Sequence, residues 1–300
     1  MSDCDVLMLG DYFCDLIVTG LREVPHLGAD VFGDSMEIAP GGAYIMTVAL
    51  HRLGVKVRWA LRLGNDLFSR FLVEEAQKEG IDKSLFQQYP KPQRNISLSF
   101  SFTHDRGFIS YRDPNPSALS WALIKSQQPR WVVNIPFDGS DESRRLAAKI
   151  RKNGGSVYID CQYVTTTLNQ PGLTDMLHSV NIFAPNLSEA CQLTGESDPE
   201  KAASRLAEFC PLVVVKCGSD GAFARSGSKT LYSPALKISV VDTTGAGDCF
   251  NAGFLFGHLL GAPIETCLRY GNICGGLSVT QRGGASAAPT LEQLNQYLQE

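Results

Sequence analysis

The feature that most constrains this chain is a repeated alternation between short, almost wholly apolar runs and longer amphipathic stretches. Cys4 to Gly10 reads as a buried strand closed by glycine, and Ser156 to Cys161, Asn181 to Ala184 and Leu212 to Cys217 read the same way. Between such runs, Asp66 to Glu79 carries Leu67, Phe71, Leu72 and Ala76 at helical spacing, with Gly80 as a C-terminal stop. Asp141 to Lys152 and Pro199 to Phe209 repeat the pattern. Strands that are apolar along their whole length need cover on both faces, so the alternation predicts an α/β fold with a mostly parallel sheet and helices on both sides. The 300 residues, 44% hydrophobic and 19% charged, are enough to build such a core.

Two regions break the alternation. From about Tyr12 to Glu37 and from Asn95 to Arg112, apolar and polar residues alternate between turn signals, and Ser97 to Phe102 keeps a clean period of two. Such strands are half buried, with one face wet or turned to a ligand. We read residues 12–37 and 95–112 as a small β lid inserted in one domain spanning 1–300. Ligands in open parallel sheets bind beyond the carboxyl ends of the strands, where helix N-termini favour anions.

Several partner classes are disfavoured. The net charge is −4 and no basic cluster stands out, which argues against nucleic acid. The N-terminus Met1 to Asp5 lacks the basic segment of a signal peptide, and Val6 to Leu9 is too short to span a bilayer. Nine scattered cysteines without a CxxC pair fit reduced thiols in a cytoplasmic protein better than disulfides or zinc. His51 and His258 lack a partner at ligand spacing.

The strongest chemical signal is Asp242-Thr243-Thr244-Gly245-Ala246-Gly247-Asp248, which follows Ile238 to Val241 and precedes a buried helical run from Cys249 to Leu255. Small residues let a backbone ribbon approach a ligand, and N–H groups at a helix start can surround phosphoryl oxygens. Asp248, in the first helical turn, can accept a proton from an attacking hydroxyl. Taken alone, the same residues also suit a tight turn with a capping carboxylate.

The longer string DTTGAGDCFNAGF resembles the signature of the ribokinase-like, or PfkB, carbohydrate kinase family. Gly41-Gly42 followed by Ala49 to Gly54, Gly64-Asn65-Asp66-Leu67-Phe68, Asn186 to Ala190 with Leu193-Thr194-Gly195, and Lys216 to Gly221 are similar to its other motifs, in family order. The resemblance spans about Gly10 to Gly284. It implies a Rossmann-like α/β domain with a β lid, and an ATP-dependent kinase that phosphorylates a hydroxyl of a small sugar or sugar acid.

Roles follow by position. Asp248 matches the catalytic base, and Gly245, Ala246 and Gly247 match the anion hole. The family uses Mg-ATP, and Asn186 with Glu189 match residues that organise magnesium through water, although the pair also suits an N-cap with its capping box. Lys216 could meet the nucleotide phosphates or be a solvated strand end. Gly218 and Gly221 would shape the nucleotide loop, and Asn272, Gly275 and Ser278 would flank adenine or serve helix packing. Asp242 and Thr244, with backbone of the Gly283 to Ser286 loop, match a potassium site found in many members.

Substrate recognition departs from the pattern. Asp15 matches an aspartate that holds sugar hydroxyls, with Asp11 nearby on what reads as one strand from Gly10 to Asp15, and Gly41 and Gly42 should approach the sugar. The usual Asn beyond the glycine pair is replaced by Ile45 or Met46, which puts ribose itself in doubt. Arg112, Asn134 and Gln162 are replacement contacts, Arg112 being equally suited to a lid surface. A nucleoside kinase stacking a base on Tyr12, Phe13 or Phe32, and a non-catalytic sugar or nucleotide sensor, are the competing readings. The assembly to consider is a homodimer through the lid.

Overall fold

The computed structural model describes residues 4–101, 106–114, 120–161 and 166–299. In chain order the elements are β1 (Val6–Leu9), β2 (Tyr12–Thr19), β3 (Ser35–Gly42), α1 (Ala43–Arg52), β4 (Val57–Leu63), α2 (Leu67–Lys78), β5 (Phe86–Gln88), β6 (Asn95–Ser101), β7 (Arg106–Arg112), α3 (Trp121–Gln127) and β8 (Trp131–Val133). Then come α4 (Asp141–Lys152), β9 (Ser156–Asp160), α5 (Leu173–Leu177), β10 (Ile182–Ala184), α6 (Leu187–Thr194), α7 (Pro199–Leu206), β11 (Leu212–Lys216), β12 (Ala222–Ser226), β13 (Lys229–Ser233), α8 (Ala246–Leu259), α9 (Ile264–Ser278) and α10 (Leu291–Gln299).

Nine strands form one sheet in the order β13-β12-β11-β10-β9-β8-β1-β4-β5, parallel from β11 through β5, with β12 and β13 antiparallel at one edge. Successive side chains of a strand enter opposite cores. Val6 and Met8 pack with α1, α8 and α9, whereas Leu7 and Leu9 pack with α3 to α7. This double burial is why the strands read as unbroken apolar runs, and each fully buried Val or Leu contributes roughly 1.5–3 kcal/mol. The α/β architecture with helices on both faces is the one expected. α2 starts where its sequence says, because the Asp66 carboxylate accepts the N–H groups of Phe68 and Ser69.

Four strands form a second sheet, β3-β2-β6-β7. Two readings of the sequence are corrected here. Gly10 to Asp15 is not one strand: β1 stops at Leu9, Gly10 takes φ +123°, and β2 begins the small sheet. β3 also runs past Glu37 to Gly42, because Pro40 sits on an edge strand, where its missing N–H costs no ladder bond. Register then divides the sheet into two faces. Ile38, Leu16, Leu98 and Ile109 form one cross-strand row, and Met36, Val18 and Phe100 another, all on the same face. The other face carries Ala39, Asp15, Ser97 and Ser110 in a row. Phe102 and Gln162 lie outside the described residues. Among the described residues no helix is long and apolar enough to cross a membrane.

Candidate active site

Because β1 and β8 to β11 are parallel, their carboxyl ends share one edge. Asp11 follows β1, Asn134 follows β8, Asp160 closes β9, Asn186 follows β10 and Lys216 closes β11. α8 starts beside this edge. Its N-cap is Gly245 at φ +72°, where a Cβ would sit 2.8 Å from Gly284 Cα, so both dihedral and space require glycine. Ala246, Gly247 and Asp248 form the first turn, whose N–H groups have no partner within the helix. Lys216 Nζ stands 3.4 Å from the place a Gly247 side chain would occupy.

The half-buried charges at this edge converge on Asp248. Burial, then the neighbouring carboxylates Asp160, Asp15 and Glu189, hold its carboxyl well above the ordinary range, and Lys216 opposes them. Lys216 donates to Asp160 Oδ1 at 2.5 Å. Burial alone would lower the lysine, but Asp160, Glu189 and Asp248 raise it overall, so it remains an ammonium. Asn186 and Glu189 complete a capping box: the Asn186 side chain accepts the Glu189 N–H and the Glu189 carboxylate accepts the Asn186 N–H, each at 2.8 Å. Burial pushes Glu189 up to about 7, opposed by the Asn186 N–H. The cap exists and Glu189 also faces the charge cluster, so one role does not displace the other.

The small sheet closes the other side. A Cβ on Gly41 would collide with the Asp15 carboxylate, and one on Gly42, at φ +64°, would sit 2.7 Å from the Asp11 carbonyl oxygen. Both glycines therefore leave room for the aspartates. Burial, then the Asp242 carboxylate, pushes Asp15 up to about 6. Arg112, at the end of β7, pairs with Asp11, so these two candidates meet each other across the mouth of the site. Asn134, at φ +61°, turns its side-chain oxygen to the Asp160 N–H at 3.4 Å. Ile45 is buried, and its side chain meets the space beside Gly245 and Gly284. Tyr12 offers no stacking face: it is buried, with its hydroxyl 2.7 Å from the Gln93 carbonyl. Phe32 is exposed outside the strands, and Phe13 remains beside Gly42.

Gly218 and Gly221 have φ +57° and +84° around a 3₁₀ turn. The Ser233 carbonyl blocks any side chain at Gly221 and also accepts the Asn272 amide at 2.9 Å, which joins these two positions. Gly275 and Ser278 make helix-packing contacts. A Cβ on Gly275 would lie 3.0 Å from the Ala246 carbonyl oxygen of α8, and the buried Ser278 hydroxyl bonds the Gly275 carbonyl. Asp242 Oδ1 accepts the Thr244 N–H and hydroxyl at 2.9 and 2.8 Å, while Oδ2 accepts the Gly283 N–H at 3.1 Å, tying two loops together. Among the described residues no group of three His, Cys, Asp or Glu side chains is set to hold a metal.

Sequence reasoning missed Asp160. Its one visible signal was an acidic residue closing an otherwise apolar strand, and its partner Lys216 is 56 residues away.

The profile of pfkB family carbohydrate kinases matches residues 9–291. This chain belongs to that family. It has relatives that it matches over nearly the whole of both chains. It is 28% identical over 301 residues to 2-dehydro-3-deoxygluconokinase of Bacillus subtilis (strain 168), covering 93% of this chain and 90% of the relative. It is 25% identical over 310 residues to ribokinase of Haemophilus influenzae, covering 97% of each. The fold matches Arabidopsis thaliana ribokinase complexed with ribose and ATP at a TM-score of 0.84 and 21% identity, covering 100% of both chains. The pfkB kinase described here is thus an enzyme whose reaction is ATP-dependent phosphorylation of a sugar-type hydroxyl.

Proposed function

We propose that the acceptor is a small sugar acid and that Asp248 is the general base. The observation that carries this reading is the position of Asp248. It stands on the first turn of α8, in one electrostatic cluster with Asp15 on the small sheet and with Lys216 on the large one. An acceptor hydroxyl held by Asp15 would face Asp248 on one side and the γ-phosphate on the other. Asp248 takes the hydroxyl proton as the oxygen attacks the γ-phosphorus and the bond to the β,γ-bridging oxygen breaks to release ADP, while Lys216 and the Gly245 to Gly247 turn meet the charge on the transferred group. Asp248 must first lose the proton that its buried, carboxylate-rich setting favours, so turnover rises with pH through neutrality.

Oxygen donors at Glu189, through water, and around Asn186 suit magnesium, which takes most of its shell from phosphate and water. Bound there it would neutralise phosphate charge. Asn272, Gly218 and Gly221 would border the nucleotide, and Asp242 with Thr244 would hold potassium. The small sheet acts as a lid that excludes water as a competing acceptor. Its outer apolar face exposes Met36, Ile38 and Ile109 by 58%, 49% and 61%, which suits a second copy and a homodimer. The nine cysteines without a disulfide suit the cytoplasm.

Arg112 favours a sugar acid over a neutral sugar, because a substrate carboxylate can replace Asp11 as its partner. A relative named for 2-dehydro-3-deoxygluconate agrees with this. The burial of Tyr12 removes one stacking surface from the nucleoside alternative. The test is ADP release with 2-dehydro-3-deoxygluconate, gluconate, ribose, fructose and adenosine. A sugar acid should give the highest kcat/KM, and adenosine outperforming every sugar and sugar acid would reverse the assignment.

A further inference from the structure

Arg52 ends α1 outside every position placed in the site, yet its guanidinium is divided between two sets of partners. Nε and Nη2 donate to the two carboxylate oxygens of Glu79 at 3.0 and 2.6 Å, a fork-on-fork pairing that fixes the guanidinium plane. Nη1 donates to the carbonyl oxygens of Ala285, Ser286 and Ala288 at 3.0, 3.2 and 2.7 Å. Those carbonyls belong to the stretch between α9 and α10, which has neither helix nor strand. The stretch runs Gly283-Gly284-Ala285-Ser286-Ala287-Ala288. Ala285 and Ala288 reach the core, but residues so small bury little apolar area each, so polar ties add substantially to the position of the stretch. A solvated ion pair would hold it weakly, but this pair is largely buried, at 21% and 27% side-chain exposure.

The same stretch reaches the transfer site. Gly284 Cα packs against Gly245, the N-cap of α8. The Gly283 N–H donates to Asp242 at 3.1 Å, and the Cys249 thiol approaches the Gly284 carbonyl at 3.7 Å. Contacts therefore run unbroken from Glu79 through Arg52 and residues 283–288 to the turn that ends at Asp248.

We infer that Arg52, oriented by Glu79, is a positioning residue for phosphoryl transfer: it fixes residues 283–288 as the back wall of the Gly245 to Gly247 turn and so sets where Asp248 stands. The inference rests on that turn being the transfer site. Arginine is required because one planar group must face a carboxylate on one side and three carbonyls on the other; a lysine is a single point donor.

The experiment compares wild type with Arg52→Ala, Arg52→Lys and Glu79→Gln, using Mg-ATP and 2-dehydro-3-deoxygluconate, or ribose if that is the better acceptor. Folding is checked by circular dichroism. Displacement of a catalytic group by about 1 Å can cost a hundredfold, so Arg52→Ala should lower kcat by roughly ten- to a hundredfold with both KM values nearly unchanged. Added guanidinium ion should restore part of that kcat in Arg52→Ala only. Arg52→Lys should lose less, Glu79→Gln least, and amide exchange should speed up at 283–288 and at 243–248. A folded Arg52→Ala enzyme with wild-type kcat and only a lower melting temperature overturns the inference, as does a loss carried by KM. If Arg52→Ala does not fold, the other two variants carry the same readouts. If wild type releases no ADP with either acceptor, the transfer reading fails on its own terms. Amide exchange then still decides the clamp, and unchanged exchange at 243–248 in the variants overturns it.

Discussion

In the nine-stranded sheet, successive residues of β1, β9 and β11 enter cores on opposite sides, whereas in the four-stranded sheet they divide into an apolar and a polar face. The first pattern leaves strand ends as the one place for chemistry, and Asp160, Asn186 and Lys216 stand there. The second pattern can place a polar group in mid-strand, and Asp15 lies near the middle of β2 with Ser97 beside it. The proposed division of labour follows: the rigid sheet handles phosphate and the two-faced sheet handles the acceptor. Predictions that separate these halves test that division.

The largest effect is expected where the halves meet. Asp248→Asn keeps the shape of the side chain but removes the base, so turnover should fall by about a hundred- to ten-thousandfold. ATP binding, measured by calorimetry, should change little. A variant retaining more than a third of wild-type turnover would remove Asp248 from the mechanism.

On the acceptor half, Asp15→Ala should raise the acceptor KM by roughly ten- to a hundredfold, the range for lost hydrogen bonds to a charged group, while the KM for ATP stays within about twofold. Equal increases in both would show that the small sheet does not act on the acceptor alone. On the phosphate half, Glu189→Gln should raise the magnesium requirement by about tenfold without altering acceptor affinity. Glutamine keeps the capping box, so helix stability is not at stake. Magnesium titrations that overlay would leave Glu189 as a cap only.

The two sheets also differed in how well the sequence announced them. Unbroken apolar runs and caps such as Asp66 located β9, β11, α2 and α4 closely, because burial and capping act locally. The glycine turn before Asp248 was legible for the same reason: Gly245 takes φ +72°, a local demand that favours glycine. Pairings set by tertiary approach were not legible. Asp160 with Lys216, Asp11 with Arg112, and Arg52 with residues 285–288 join segments that no local pattern connects. Gly275 and Ser278 could be read as ligand space or as packing, since a small residue permits both; the nearness of α8 to Gly275 is a tertiary contact that no local pattern announces. The end of β3 was misread because Pro40 and the glycine pair are turn residues everywhere except at an edge strand or beside a ligand.

The smallest effect expected is on stability, and it asks whether the acceptor half carries a cost that the phosphate half offsets with Lys216. Asp15 is pushed up from 3.8 to about 6 by burial and by Asp242, and among the described residues no lysine answers it as Lys216 answers Asp160. A carboxyl raised in the folded state binds its proton more tightly there than in the unfolded chain. Its contribution is therefore full below the ordinary value and is lost as pH rises through about 6. The ceiling on that loss is about 3 kcal/mol, and partial solvent contact brings it nearer 1 kcal/mol. Asp15→Asn cannot ionise, so it should melt about 2 °C above wild type at pH 7.5. The gain should shrink as pH falls and vanish near pH 4, while acceptor affinity worsens at both. A melting difference that is the same at both pH values would assign the gain to packing, and a variant less stable than wild type at pH 7.5 would mean that the Asp15 carboxylate is held by favourable partners.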